Sequence, residues 1–166
     1  MKRLVIIAAA AVLTLGVIGT VAADDDHNKS KDVKAVLSGF NEIPAISTAG
    51  TGKLRMSIDG SNTTVTYTLT FSGLEGGAVI GAHLHLGKPG VAGGVIVNLC
   101  PVTCVSPVTG TFGAANVAAL PAQGIAGPAD WAEVLKAIRA GAVYANVHTT
   151  AYPAGEIRGQ LSGGWH

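Results

Sequence analysis

Thr64-Val65-Thr66-Tyr67-Thr68-Leu69-Thr70-Phe71 alternates threonine with an apolar or aromatic residue without a break. A strand projects successive side chains to opposite faces, so this period of two describes a half-buried β-strand with one face in a core and one in water. Gly60-Ser61-Asn62 just before it is a hairpin turn, because Gly and Asn tolerate positive φ. Residues Gly50 to Asp59 then form the partner strand and Thr63 to Ser72 the returning one. Working outward, short runs of the same kind fall between Gly, Pro, Asn and Ser turns: Val33 to Ser38, Val79 to Leu86, Gly94 to Leu99, Val108 to Phe112, Ala142 to Thr149 and Gly155 to Leu161. About eight strands in one domain predict an all-β fold, an antiparallel β-sandwich of Greek-key-like order. One short helix interrupts it. Asp130 stands as its cap, Glu133 completes a capping box, Trp131, Val134, Leu135 and Ile138 form an apolar stripe, and Gly141 is the stop. This helix is expected to pack across one end of the strands.

The flanks set the compartment. Met1-Lys2-Arg3 precedes an uncharged run from Leu4 to Gly19, and Thr20-Val21-Ala22-Ala23 supplies small residues where a signal peptidase cuts. Residues 1–23 therefore read as a cleaved signal peptide, with no stable membrane span after its removal, since the apolar run is shorter than a spanning helix requires. Residues 24–32, charged and without apolar side chains, read as a flexible spacer, 33–162 as the domain and 163–166 as a tail. Cys100 and Cys104 are the two cysteines of the chain. In an exported protein they are expected to form a disulfide across a short loop. The chain carries 11 basic and 10 acidic residues, and losing Lys2 and Arg3 with the leader leaves it near neutrality without a basic cluster. That balance speaks against nucleic acid as a partner. The mature protein is expected to be periplasmic or secreted.

Three segments carry a family resemblance: Leu37-Ser38-Gly39-Phe40-Asn41-Glu42-Ile43-Pro44; Gly81-Ala82-His83-Leu84-His85-Leu86-Gly87; and Tyr144-Ala145-Asn146-Val147-His148-Thr149 followed by Pro153-Ala154-Gly155-Glu156-Ile157-Arg158-Gly159-Gln160-Leu161. In this order and spacing they resemble the CHRD domain, first described in chordin and common in bacterial secreted proteins. The resemblance implies an extracytoplasmic β domain. In animals the module is repeated in an extracellular antagonist that binds growth factors, so it also implies a protein-binding class.

Chemistry concentrates in the second and third segments. His83 and His85 leave one face of their strand while Ala82, Leu84 and Leu86 leave the other. By the same alternation Tyr144, Asn146 and His148 oppose Val143, Ala145 and Val147, and Glu156, Arg158 and Gln160 oppose Ile157, Gly159 and Leu161. If these strands are neighbours, three imidazoles share one polar patch. Two histidines at i and i+2 on a strand with a third from another strand suit copper or zinc. The expected ligands are His83, His85 and His148 for one metal ion, copper first and zinc second. Tyr144, Asn146, Glu156 and Arg158 are the supporting or partner-binding residues. The His83-Leu84-His85 strand also resembles the His-x-His strand of copper/zinc superoxide dismutases, although only three candidate ligands fall in the domain and no His-rich, Asp-bearing loop accompanies them. The alternative is a non-enzymatic extracellular protein-binding or adhesion module whose histidines are structural, hydrogen-bonded residues. No serine or threonine stands in a nucleophile-elbow context, so no catalytic residue is assigned.

Overall fold

A computed structural model describes residues 31–163. The expected signal peptide, most of the spacer and all but the first residue of the tail lie outside the described residues. Nine strands run β1 (Lys31–Ser38), β2 (Thr51–Ile58), β3 (Thr64–Ser72), β4 (Val79–Leu86), β5 (Val95–Cys100), β6 (Val108–Gly113), β7 (Val143–Thr149), β8 (Ile157–Gln160) and β9 (Ser162–Gly163), with one α-helix, α1 (Trp131–Arg139). The all-β expectation with one short helix is borne out. Two boundaries extend beyond those read from the sequence. Lys31 and Asp32 already pair with Ile58 and Ser57, and Ser162–Gly163 adds a short strand beside Lys34 and Val33. Neither segment carries an apolar alternation, so backbone pairing alone defines it.

Every pairing is antiparallel, and one hydrogen-bonded path joins the strands in the order β5-β4-β7-β8-β1-β2-β3-β6, with β9 on β1. The sheet curls until its ends approach: the Tyr67 hydroxyl on β3 donates to the Leu99 carbonyl on β5 at 2.6 Å. The curl brings the two edge strands, β5 and β6, toward each other without pairing them. Inward-facing residues from all the long strands meet in one core, including Leu37, Leu54, Ile58, Val65, Leu69, Leu84, Ile96 and Ile157, each essentially without exposed surface. This is the alternation read from β3 extended around the sheet.

The β2–β3 hairpin is closed by Asp59, whose carboxylate accepts from the backbone of Thr63 at 2.7 Å and of Thr64 at 3.1 Å. Asn62, not Gly60, takes the positive φ, +59°. That hairpin receives the helix. Trp131 Nε1 donates to the Asn62 carbonyl at 2.7 Å and the Arg139 guanidinium to its side-chain oxygen at 2.6 Å, while Trp131 meets Phe112 edge to face. Val134, Leu135 and Ile138 are buried as the stripe predicts. The capping box does not form. Asp130 caps without a side-chain bond to the helix, its carboxylate accepting instead from Ala126 N–H, and Glu133 pairs with Lys136 at 2.8 Å. A preceding 3-10 turn, Pro128–Asp130, already leads the chain into the helix.

The outer face of β7 is also covered, so all seven of its residues are buried. Loops lie over it, and one carboxylate ties them. Glu156, with no exposed surface, accepts from Glu75 N–H at 2.6 Å, the Thr48 hydroxyl at 2.7 Å, the Thr149 hydroxyl at 2.8 Å and Gly76 N–H at 3.0 Å. Burial alone would push this carboxyl up, but the four donors outweigh it and hold it below its ordinary value. A group with a lowered folded-state pKa stabilises fully above the ordinary carboxylate range, and that contribution fades as pH falls through the folded value. Glu156→Gln, which turns one acceptor into a donor facing donors, is expected to cost about 2–4 kcal/mol at pH 7 and to flatten the acid limb of stability. Urea denaturation of both proteins across pH 2–7 checks this.

Candidate metal centre

β4 and β7 are hydrogen-bonded neighbours, with His83 opposite Asn146, His85 opposite Tyr144 and Gly81 opposite His148. The register explains how histidines two and four rungs apart come together. His83 folds its ring back over Gly81, where an added Cβ would lie 3.0 Å from Nε2, and Gly81 faces His148. The His83 and His148 ring centroids are consequently 4.7 Å apart. His85 lies 5.7 Å from His83 and 5.6 Å from His148. One ring nitrogen from each histidine falls within 4.8 Å of the others. A tetrahedral ion at 2.0–2.1 Å needs its nitrogen ligands roughly 3.4 Å apart, so side-chain shifts of about an ångström complete the geometry.

Each ring is oriented by its surroundings. His85 Nδ1 lies 3.0 Å from the Gly93 carbonyl and His148 Nδ1 3.1 Å from the Pro153 carbonyl. A carbonyl only accepts, so both Nδ1 atoms carry the proton and both Nε2 atoms hold a lone pair. Those two Nε2 atoms, with Nδ1 of His83, are buried and have no hydrogen-bond partner. Backbone carbonyls that fix the tautomer of an imidazole are the usual second layer of a metal site. Burial pushes His83 and His85 down to about 4, the charge of His148 adding to the effect, and burial also lowers His148. At neutral pH the three rings are neutral and ready to donate electron pairs.

Of the supporting residues expected from the sequence, three join the cluster. Tyr144 stacks on His85 with centroids 4.9 Å apart and planes 7° from parallel, and the Arg158 guanidinium lies over the Tyr144 ring, 3.4 Å from its centroid. Arg158 also donates to the carbonyls of Val91 at 2.8 Å and Lys88 at 3.2 Å, pinning the loop that carries Gly93. Asn146 stands between His83 and Arg158 in the strand register. Glu156 does not join: its hydrogen bonds go to the loop knot and none to a histidine. Cys100 and Cys104 are at disulfide distance, with Cα atoms 6.1 Å apart.

The CHRD domain family matches residues 33–161, nearly the whole of the described chain. The chain belongs to the CHRD domain family. No curated protein and no solved structure matches it, so the dismutase-like strand remains a local likeness of His83-Leu84-His85. Within this CHRD domain the sequence reading missed Glu42. It is buried, its Oε1 has no hydrogen-bond partner, and burial pushes its carboxyl up to about 7 despite the Arg158 charge. Glu42 lies between β1 and β2 in a segment with no periodicity to aim its side chain; its place in the Leu37-to-Pro44 motif was the one available signal. A hollow of about 510 Å³ elsewhere on the CHRD domain crosses the outer side of β1, β2 and β3, and no histidine lines it.

The depressed imidazoles make the metal-free CHRD domain sensitive to acid. Because the unfolded chain binds protons near the ordinary histidine value of 6.5 and the folded one near 4, stability is lost as pH falls between those limits. The expected loss is on the order of 2 kcal/mol for the pair, discounted for the partial exposure of His83. A His83→Gln, His85→Gln variant should show a flatter urea midpoint across pH 6.5 to 4, a window above that of Glu156.

Proposed function

We propose that this CHRD domain works outside the cytoplasm as a metal-binding module, holding one copper ion, with zinc as the second choice, through His83, His85 and His148. The observation that carries the reading is a buried, unpartnered imidazole nitrogen on each of three histidines whose ring nitrogens approach within 4.8 Å of one another. A buried acceptor without a partner costs about 1–3 kcal/mol, and three in one place are difficult to account for as structural histidines. Imidazole suits both copper and zinc, and three protein ligands leave one coordination position for water or a small ligand. The close cysteine pair supports an oxidising compartment, as does the sequence of residues 1–23.

A second reading, a non-enzymatic protein-binding or adhesion module, has its own observation. Phe40 is 74% exposed and Ile43 39% exposed on the connection that carries Glu42, an apolar pair that a protein partner could cover.

Metal analysis of the purified mature protein and copper and zinc titrations separate the two. One metal per chain is expected. A His83→Ala, His85→Ala, His148→Ala variant, shown folded by circular dichroism, should bind at least 100-fold more weakly, because changes to outer residues alone cost about 10–100-fold. Equal and negligible binding by both proteins would sink the metal reading and favour the protein-binding one.

A further inference from the structure

Asn146 and the loop Pro153–Gly155 connect the histidines to Glu42. Pro153 accepts from His148 through its carbonyl, Ala154 accepts from Asn146 Nδ2 at 3.5 Å, and the α-carbon of Gly155 faces both the Asn146 amide and Glu42 Oε1 so closely that a Cβ there would collide with them. Gly155 has φ +131°, a second reason for glycine at this position. Glu42 Oε1 and Asn146 Oδ1 are both buried acceptors without partners, brought together at this glycine. Burial outweighs the Arg158 charge and the hydrogen bonds that Ile43 N–H and the Asn146 amide give this carboxyl, and a proton on Oε1 would answer the Asn146 oxygen.

The charges around them complete the argument. Arg158 is the charged group acting on Glu42, and its field also reaches His85. A divalent cation among three neutral imidazoles would therefore sit in a desolvated patch that already holds one positive charge, with no anion among the ligands. Glu156, the other acid near this face, is committed to its four donors. Glu42 is the acid left to answer the added charge. Resting on the metal-centre reading, we propose that Glu42 is the proton-coupled counter-charge of the histidine centre: its carboxyl is neutral when the centre is empty and releases its proton to solvent when a divalent cation is held. The O–H bond of Glu42 breaks, its electron pair stays on the carboxylate, and the net charge added on binding falls from two to one.

Calorimetric titration of the metal-free protein with zinc, in buffers of different ionisation enthalpy at pH 6, reads this directly. The three histidines are common to the wild type and to a Glu42→Gln variant, so the difference in proton release between them reads Glu42, and the wild type is expected to release about one proton more per zinc. Glu42→Gln keeps the size and a donor toward Asn146 but cannot ionise, and is expected to bind zinc without releasing that proton. Zinc binding without proton release in the wild type, or equal release by the variant, overturns the inference while leaving the metal centre standing. No zinc binding by either protein overturns both. Infrared titration of the two metal-free proteins is an independent test: a carboxylic acid band lost with a midpoint near 7 in the wild type and missing in the variant supports the inference. A Glu42 midpoint in the ordinary carboxylate range rejects it.

Discussion

The carboxylate of Glu156 holds the loops against the outer face of the sheet, and the rest of the polar side depends on that. Its four donors come from three separate segments: Thr48 after β1, Glu75 and Gly76 after β3, and Thr149 at the end of β7. A buried charge is tolerable only when its lone pairs are occupied, and here three of the four occupying groups belong to connections and the fourth to the last residue of β7. The knot therefore converts an exposed sheet surface into an interior. β7 becomes buried on both faces, and its polar residues lose most of their water although they point away from the apolar core.

That loss of water is what gives the histidines their character. On an open strand His83, His85 and His148 would titrate near neutrality; under the loops burial lowers all three, and they repel one another's charged forms. The covering loops also provide the Gly93 and Pro153 carbonyls that fix two tautomers, and Arg158 pins the first of those loops through Val91 and Lys88. Desolvation, tautomer and position thus have one origin, the packing of connections on β4, β7 and β8. The Arg158–Tyr144–His85 stack extends the same order across three adjacent strands.

Much of this was legible because period two survives wherever both neighbours are strands. The threonine alternation of β3 forecast its buried Val65 and Leu69, and the alternation of β4 and β7 put three histidines on one side before their adjacency was known. What alternation does not carry is how far a ring folds along its strand: the bend of His83 over Gly81 belongs to tertiary packing. The same limit explains Glu156, whose phase matched Arg158 but whose carboxylate turns to the loops. It explains Glu42 as well, since a carboxyl in an aperiodic connection can be placed only by the residues it meets across the fold. At the helix, local sequence offered a capping box, but the 3-10 entry and the Lys136 pair used the same side chains differently.

Glu156 and Glu42 lie under the same set of loops and make a natural comparison. Both are carboxyls removed from water, yet one has its acceptor capacity filled and is held ionised, while the other keeps an oxygen without a donor and is pushed toward neutrality. If burial of polar groups here served stability alone, both would be expected to look like Glu156, because an unfilled acceptor costs about 1–3 kcal/mol. The unfilled ones are instead concentrated: Glu42, Asn146, Gln160 and the three histidines all lie on the β4–β7–β8 strands or against the Pro153–Gly155 loop. A fold able to satisfy Glu156 so completely leaves these groups open in one region, and it is on this concentration of unpaired polar atoms that the proposed metal site would draw.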